Sequence, residues 1–429
     1  MIHTAILAVY SLAVFSQVRK QPLIKAFIRL LKSLLLLPPG ADAGKQTAIL
    51  GRIALAWSDF TAIFAGAGCD TFYSAVCKII QSDENAWTSN QCVHKNEHKI
   101  IFHFVSRDLE ALRLLAGFDF SALAELVKPY AELSRIADEC LLVNAPAAWE
   151  PFDFSPQALA LLIQKEGAGI FHNKAMFYWR GALIPARRPD TVSLADLSGY
   201  TAERGLVIEN TRRFLEGGVV NNMLLYGDRG TGKSATVKAV CNEFAPRGLR
   251  LIEVRKEDFK DIGKILDILE GRPLKFILFI DDLSFEKQDD SFTMLKALLE
   301  GGVEKQPSNI AVYATSNRRH FVKENFTDRP AGLSGNDVRA FDTMQEQLSL
   351  SDRFGITVIF TSPSQDEYFD IAESIAAKRG LFSRQDAISR ESFRENAAKW
   401  ERWFNGRSPR TACQFVDWIA AGKNFIWDE

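Results

Sequence analysis

Apolar residues recur every three or four positions through most of the first 145 residues, a spacing that predicts helices rather than strands. Asp108-Leu-Glu-Ala-Leu-Arg-Leu-Leu and Phe120-Ser-Ala-Leu-Ala-Glu-Leu-Val show it plainly. Leu23 to Leu37 shows it too, with Lys25, Arg29 and Lys32 at helical spacing against leucines, until Pro38, Pro39 and Gly40 stop the run. Such a helix could lie on a membrane surface, but apolar helix faces are usually core. Packing within an all-α domain is therefore expected, and peripheral membrane contact is not. Residues 146–190 read as a connector that begins around Ala145-Pro-Ala-Ala-Trp-Glu-Pro and closes with Pro185-Ala-Arg-Arg-Pro-Asp. Between them Ala175-Met-Phe-Tyr-Trp-Arg-Gly predicts a short strand turning at Gly181.

From about residue 190 the period changes. Short apolar runs alternate with helical stretches: Asn222–Tyr226, Leu251–Val254, Phe276–Ile280, Ile310–Ala314 and Ile356–Phe360. That alternation predicts an α/β core with a parallel five-stranded sheet over 191–363. Only helical patterns follow, so 364–429 is expected to be a helical subdomain. The chain thus divides into a helical N-terminal domain at 1–145, the connector, the α/β core and a helical end.

Composition narrows the function classes without choosing one. The chain has 429 residues, 47% hydrophobic and 24% charged, which excludes global disorder. Lys and Arg number 52 against 53 Asp and Glu, and residues 1–150 carry 14 of each sign. That balance argues against a polyanion binder resting on bulk positive charge, so a nucleic-acid role would need a local patch that composition does not show. Six cysteines are too few for a disulfide framework and suit a reduced compartment. Met1–Gln17 is almost uncharged, yet it lacks a basic leader and a small-residue cleavage site, and Arg19 and Lys20 interrupt it. A cytoplasmic location is the expectation. Cys92, His94, His98 and His103 lie close together, but Cys-x-His-x3-His lacks paired metal-ligand spacing, so packing or surface positions are expected.

The chemistry concentrates in the α/β segment. Gly227-Asp228-Arg229-Gly230-Thr231-Gly232-Lys233-Ser234 is a full phosphate-loop pattern between a predicted strand and a predicted helix. Its glycines let backbone N–H groups face phosphates at a helix N-terminus. Lys233 then reaches the β- and γ-phosphates, and the Ser234 hydroxyl holds Mg²⁺. Phe276-Ile-Leu-Phe-Ile-Asp281-Asp282 is an apolar strand delivering two acids to the sheet edge where ligands collect. Asp281 is expected on Mg²⁺ and Asp282 on the attacking water. Asn309–Asn317 is a further apolar strand, whose Asn317 can orient that water. Arg353, in Ser-Asp-Arg-Phe-Gly before the fifth strand, can project to a neighbouring subunit's nucleotide and neutralise transition-state charge.

This order of motifs resembles the AAA+ ATPases. It is more similar still to the bacterial DUF815 family of AAA+ ATP-binding proteins, from about Leu194 to Ala421. The phrases that carry the likeness include Asn222-Met-Leu-Leu-Tyr-Gly-Asp-Arg-Gly-Thr-Gly-Lys-Ser, Phe279-Ile-Asp-Asp-Leu-Ser-Phe-Glu, Tyr313-Ala-Thr-Ser-Asn-Arg-Arg-His and Arg407-Ser-Pro-Arg-Thr-Ala-Cys-Gln-Phe. The resemblance implies an AAA+ P-loop NTPase core with a helical lid, binding ATP with Mg²⁺. It implies Asn317 as sensor 1, Arg353 as the arginine finger, with Arg318 and Arg319 as rivals, and Arg410 as sensor 2, with Arg407 as rival. It also implies an adenine pocket lined by Leu197 and Tyr200. One departure stands out: most AAA+ enzymes carry Glu where this chain has Asp282, one methylene shorter, which points to slow hydrolysis.

The function expected is ATP binding with slow hydrolysis, coupled to conformational change on an unknown protein client, in a homo-oligomer because a finger at Arg353 needs a neighbour. The alternatives are a nucleotide-gated scaffold with little turnover and a helicase-loader-like ATPase associated with DNA. The neutral charge, and the absence of an appended DNA-reading segment after the lid, count against the last. Asp258-Phe-Lys-Asp-Ile-Gly is a poor pore loop and counts against an unfoldase.

Overall fold

The computed structural model describes residues 1–37, 43–89, 99–143, 152–283, 294–296, 298–299, 306–317, 353–383, 389–404 and 406–421. They form two compact units: Met1–Asn173 with Gly271–Pro273, and the remainder from Lys174 onward. The division falls inside the stretch read as connector.

The first unit is helical. Its helices are α1 (Ile2–Tyr10), α2 (Pro22–Leu34), α3 (Ala43–Gly66), α4 (Phe72–Ser82), α5 (Lys99–Ala116), α6 (Phe120–Val127), α7 (Ser134–Val143) and α8 (Pro156–Glu166). Their starts follow local chemistry. Thr71 and Ser74 form a reciprocal cap on α4, Asp119 accepts the N–H groups of Ser121 and Ala122 on α6, and Ser155 precedes Pro156 at the start of α8. Helix α2 buries nine of its thirteen residues, so the leucine-rich run is core, as its pattern predicted. By length and composition α3 would also pass as a membrane-spanning segment, which its pattern had not suggested. Its Ile53, Trp57 and Phe60 are nonetheless buried in this unit. Phe27 lies at the centre, with ring centroids 4.5 Å from Phe72 and 4.9 Å from Phe118. His103 is exposed on α5. Cys92, His94 and His98, with which it was grouped, lie outside the described residues, and among the described ones no group of three potential metal ligands occurs.

The second unit is α/β, and its sheet corrects the five-strand expectation. Among the described residues there are seven strands: β1 (Met176–Trp179), β2 (Leu183–Pro185), β3 (Met223–Gly227), β4 (Leu249–Glu253), β5 (Lys275–Ile280), β6 (Ile310–Ser316) and β7 (Ile356–Phe360). Their order is β2-β1-β4-β5-β6-β3-β7. The five predicted strands all run parallel, and the aromatic segment adds a sixth parallel strand, β1, with β2 antiparallel beside it across a turn at Gly181, φ 70°. β1 joins the sheet by pairing parallel with β4, Met176 opposite Leu251. That partner lies some seventy residues further on, which is why local pattern did not reveal it. β3 and β6 are buried throughout and read as continuous apolar runs, whereas edge strand β7 alternates.

Helices α9 (Thr201–Leu215), α10 (Lys233–Phe244) and α11 (Ile262–Leu269) accompany the sheet. Beneath β6, the Tyr313 hydroxyl accepts from Asn210 Nδ2 at 3.0 Å and meets Thr211 Oγ1 at 2.8 Å, all three buried. Phe259, in the poor pore-loop segment, is buried as well. After β7 come α12 (Gln365–Lys378), α13 (Arg390–Trp403) and α14 (Pro409–Ala420), packed around Tyr368, Phe393 and Phe415. This strand order, with the phosphate loop after β3 and three helices after β7, is the arrangement that the AAA+ resemblance implies, and the three helices are called the lid below.

The helical unit holds one group whose removal has a calculable effect. Asp108 on α5 is 1% exposed. Its Oδ2 accepts the N–H groups of Ala13, Val14 and Phe15 at 2.8, 2.7 and 3.1 Å, and its Oδ1 faces Arg107 at 3.0 Å. Each stranded donor costs about 1–3 kcal/mol. Asp108→Ala should therefore destabilise this unit by roughly 3 kcal/mol or more in urea unfolding, even after partial rehydration. A change under about 0.5 kcal/mol, the range of an ordinary surface substitution, would contradict this role.

Candidate functional site

Parallel pairing brings the strand ends together. Tyr226 is opposite Ser316, and Ile280 is opposite Ala314, so the residues after β3, β5 and β6 meet at one edge. Gly227 leaves β3 with φ 138°, and a Cβ there would overlap the Phe360 carbonyl, which excludes other residues. Gly232, at φ 93°, opens α10. Thr231 Oγ1 donates to Asp228 O at 2.8 Å and closes the loop on itself.

Lys233 is buried, and its Nζ donates to the carbonyls of Gly227 at 3.0 Å and Asp228 at 2.7 Å. Burial pushes its ammonium down to about 8, against the opposing pull of Asp228, Asp281 and Asp282. Ser234 Oγ donates to Asp281 Oδ1 at 2.5 Å. The hard oxygens of this pair suit Mg²⁺, which takes one or two protein ligands and fills its octahedron with phosphates and waters. The donor set fits.

Asp282 has φ 54°, a left-handed conformation that Asp and Asn tolerate better than other side chains. Its Oδ1 accepts from Asn317 Nδ2 at 2.6 Å. The turn Asp281-Asp282-Leu283 is fastened to the end of β6 at further points: Asp282 N to Thr315 Oγ1 at 2.9 Å, Leu283 N to Thr315 O at 2.7 Å, and Ser316 Oγ to Leu283 O at 2.9 Å.

A cavity of about 980 Å³ unites these groups with the lid, a size that accommodates a nucleotide. Arg229, Thr231, Lys233 and Ser234 line one side, Asp281, Asp282 and Asn317 another, and Leu197 and Tyr200 a third. Tyr200 donates from its hydroxyl to Thr361 O at 2.6 Å and packs 5.2 Å from Phe360. Asp228 faces away from the cavity: its Oδ2 accepts from Ser362 N at 3.0 Å and Ser362 Oγ at 2.7 Å. Among the described residues six Lys or Arg side chains line the cavity against three Asp, an excess of cations in a chain of net charge -1.

Of the two rival lid arginines, Arg410 lines the cavity, and its N–H donates to Gly230 O at 3.2 Å. Arg407 is paired with Glu401 at 2.5 Å. Arg353 precedes β7, half-buried and outside the cavity lining. Arg318 and Arg319 lie outside the described residues. Sequence reasoning missed several lining groups: Arg204 on α9, Lys378 and Arg379 at the end of α12, and Thr315. Lys378 Nζ donates to Leu197 O at 3.3 Å and Ser198 Oγ at 3.1 Å, while Arg379 bonds Asp417 and, at 3.2 Å, Cys413 Sγ. Basic residues closing a lid helix were a usable signal. A threonine inside an apolar strand was not.

Among solved structures, the chain is similar to the Thermotoga maritima RuvB Holliday junction branch migration motor at 18% identity and a TM-score of 0.34. That match covers 54% of this chain and 64% of that one, so the chain spans less than two thirds of its length. A point mutant of the same Thermotoga maritima RuvB matches at 19% identity and a TM-score of 0.34, over 55% of this chain and 68% of that one. No curated protein matches the chain. The family model described as "Protein of unknown function (DUF815)" matches residues 172–423, well over half of the sequence, and the chain belongs to that family.

Proposed function

We propose that the chain binds ATP with Mg²⁺ in this cavity, hydrolyses it slowly, and passes the resulting lid movement to a protein client in the cytoplasm. The observation that carries the reading is the convergence of three pairs on one cationic cavity: Lys233 with the loop carbonyls, Ser234 with Asp281, and Asn317 with Asp282. Lys233 leaves its carbonyls for the β- and γ-phosphates, and the loop's N–H groups hold the remaining oxygens. Ser234 and Asp281 would hold Mg²⁺, which when bound would supply neutralisation of the phosphate charge. Asp282 orients the attacking water and receives its proton, while Asn317 fixes the rotation of the carboxylate. Leu197 and Tyr200 pack on the adenine, and Arg410 brings lid charge to the phosphates.

A second reading, a nucleotide-gated scaffold with little turnover, has its own support. Asp282 is a methylene shorter than Glu, and one of its two oxygens is already engaged by Asn317. Either reading needs nucleotide binding, and the two differ in rate.

Lys233→Ala should abolish ATP binding in calorimetry, because it removes the buried cation facing the phosphates. Near-normal affinity would remove the basis for both readings. Asp282→Asn should keep ATP affinity while lowering turnover by roughly 100-fold, the usual weight of a positioned base. If affinity collapses with it, Asp282 is a metal ligand.

Arg353 lies outside its own subunit's cavity lining, so the reading assigns it to a neighbour's nucleotide in a homo-oligomer. Arg353→Ala should preserve ATP binding and lower assembly-dependent turnover, with a loss of about 10³-fold as the upper scale for such a finger. Mixing Arg353→Ala with Lys233→Ala subunits should restore part of the rate, since a mixed interface pairs an intact finger with an intact loop. A rate independent of protein concentration and unaffected by Arg353→Ala would exclude the shared site.

A further inference from the structure

We propose that Thr315 is the positioning residue for both carboxylates of the site, through a single buried hydroxyl. The inference rests on the nucleotide reading above and concerns how its acids are held. Thr315 is the sixth residue of β6 and is 2% exposed. A threonine hydroxyl has one proton to give and lone pairs to accept with. Here the proton goes to Asp281 Oδ1 at 2.6 Å, and a lone pair takes the Asp282 N–H at 2.9 Å. One oxygen atom therefore fixes the side chain of the first acid and the backbone of the second.

Each half has a separate consequence. Asp281 Oδ1 also accepts from Ser234, so Thr315 and Ser234 together set the rotation of this carboxylate. Without Thr315, Ser234 alone restrains that oxygen, and a carboxylate free to turn presents the metal with a spread of geometries. The Asp282 amide belongs to a residue at φ 54°, a conformation that costs free energy relative to ordinary backbone and persists only when its surroundings over-determine it. Losing its acceptor lets the backbone relax, and the Cα–Cβ direction that aims the second carboxylate relaxes with it. The rest of the turn does not need the hydroxyl: Leu283 N bonds the Thr315 carbonyl, and Ser316 bonds Leu283 O. Removing the hydroxyl should therefore misplace the acids without unfolding the strand end.

The test compares the wild-type protein with Thr315→Val, which keeps the shape and loses the hydroxyl, and Thr315→Ser, which keeps the hydroxyl and loses the methyl. A fluorescent ATP analogue is titrated at a series of Mg²⁺ concentrations, and kcat and KM are measured alongside. Loss of such a supporting partner costs roughly 10- to 100-fold in metal affinity or activity. Thr315→Val should thus raise the half-saturating Mg²⁺ concentration and lower kcat by that factor, with metal-free analogue affinity and KM unchanged. Thr315→Ser should stay within about threefold of wild type in all of them. Should Thr315→Val lower the melting temperature, Thr315→Ala removes the same hydroxyl without setting a methyl group against the acids and is held to the same outcomes. A Thr315→Val protein matching wild type in Mg²⁺ dependence and kcat would overturn the proposal. So would a Thr315→Ser protein as impaired as Thr315→Val, because the methyl group would then be what matters. Failure of the underlying reading looks different: the wild-type protein itself would show no Mg²⁺-dependent binding of the analogue.

Discussion

Everything at the site depends on the parallel register of three neighbouring strands. β5, β6 and β3 run side by side with Ile280 opposite Ala314 and Tyr226 opposite Ser316, so their last residues reach the same edge. A side chain alternates faces with each residue along a strand, and a slip of one position would turn Thr315 away from Asp281. The register is held far from the chemistry, by buried runs such as Phe276–Ile280 and Ile310–Ala314 and by the Tyr313 cluster with Asn210 and Thr211. Apolar burial sets the alignment, and alignment sets the distances between polar groups. The alignment that lets Ser234, Thr315 and Asn317 reach the acids is thus set by apolar residues outside the cavity lining.

The parts of this molecule legible in the sequence are those whose physics is local. The phosphate loop is contiguous, its glycines are required by its own backbone angles, and Lys233 and Ser234 follow at fixed spacing, so eight residues sufficed to locate it. The five parallel strands announced themselves as apolar runs, and the lid as helical periodicity after Ser364. What was not legible depends on partners distant in the chain. The β1–β2 hairpin looked like part of a connector because only pairing with β4 makes it a strand of this sheet. Arg407 and Arg410 are equivalent in a string of letters, and the ion pair with Glu401 is what separates them. Thr315 and Ser316 read as small polar residues ending a strand, since nothing nearby in sequence tells which turn they fasten.

Charge shows the same division between average and arrangement. The chain is nearly neutral, and so are its first 150 residues taken alone. Folding nevertheless gathers cations from α9, the phosphate loop, α12 and α14 around one cavity, where they outnumber carboxylates two to one. Composition argues against long-range attraction of polyanions by bulk charge, because that steering sums over the whole molecule. It says nothing about a local cavity of about 980 Å³, where partial burial strengthens each charge. Lys233 records that environment, its ammonium lowered to about 8 by burial even with three aspartates nearby.

The connector between β7 and the lid is held on both sides. Asp228 bonds the backbone and side chain of Ser362, Tyr200 bonds the Thr361 carbonyl, and Gly227 admits the Phe360 carbonyl only because it has no side chain. A rotation of the lid cannot be absorbed within Phe360–Ser362 while those contacts persist. If the lid turns as the proposed function requires, it would pivot at Pro363 and the first turn of α12, while the Arg410 N–H bonded to Gly230 O ties the start of α14 to the phosphate loop. A shift of the phosphate loop would then reach the lid at two places at once, through Asp228 on Ser362 and through Gly230 on Arg410.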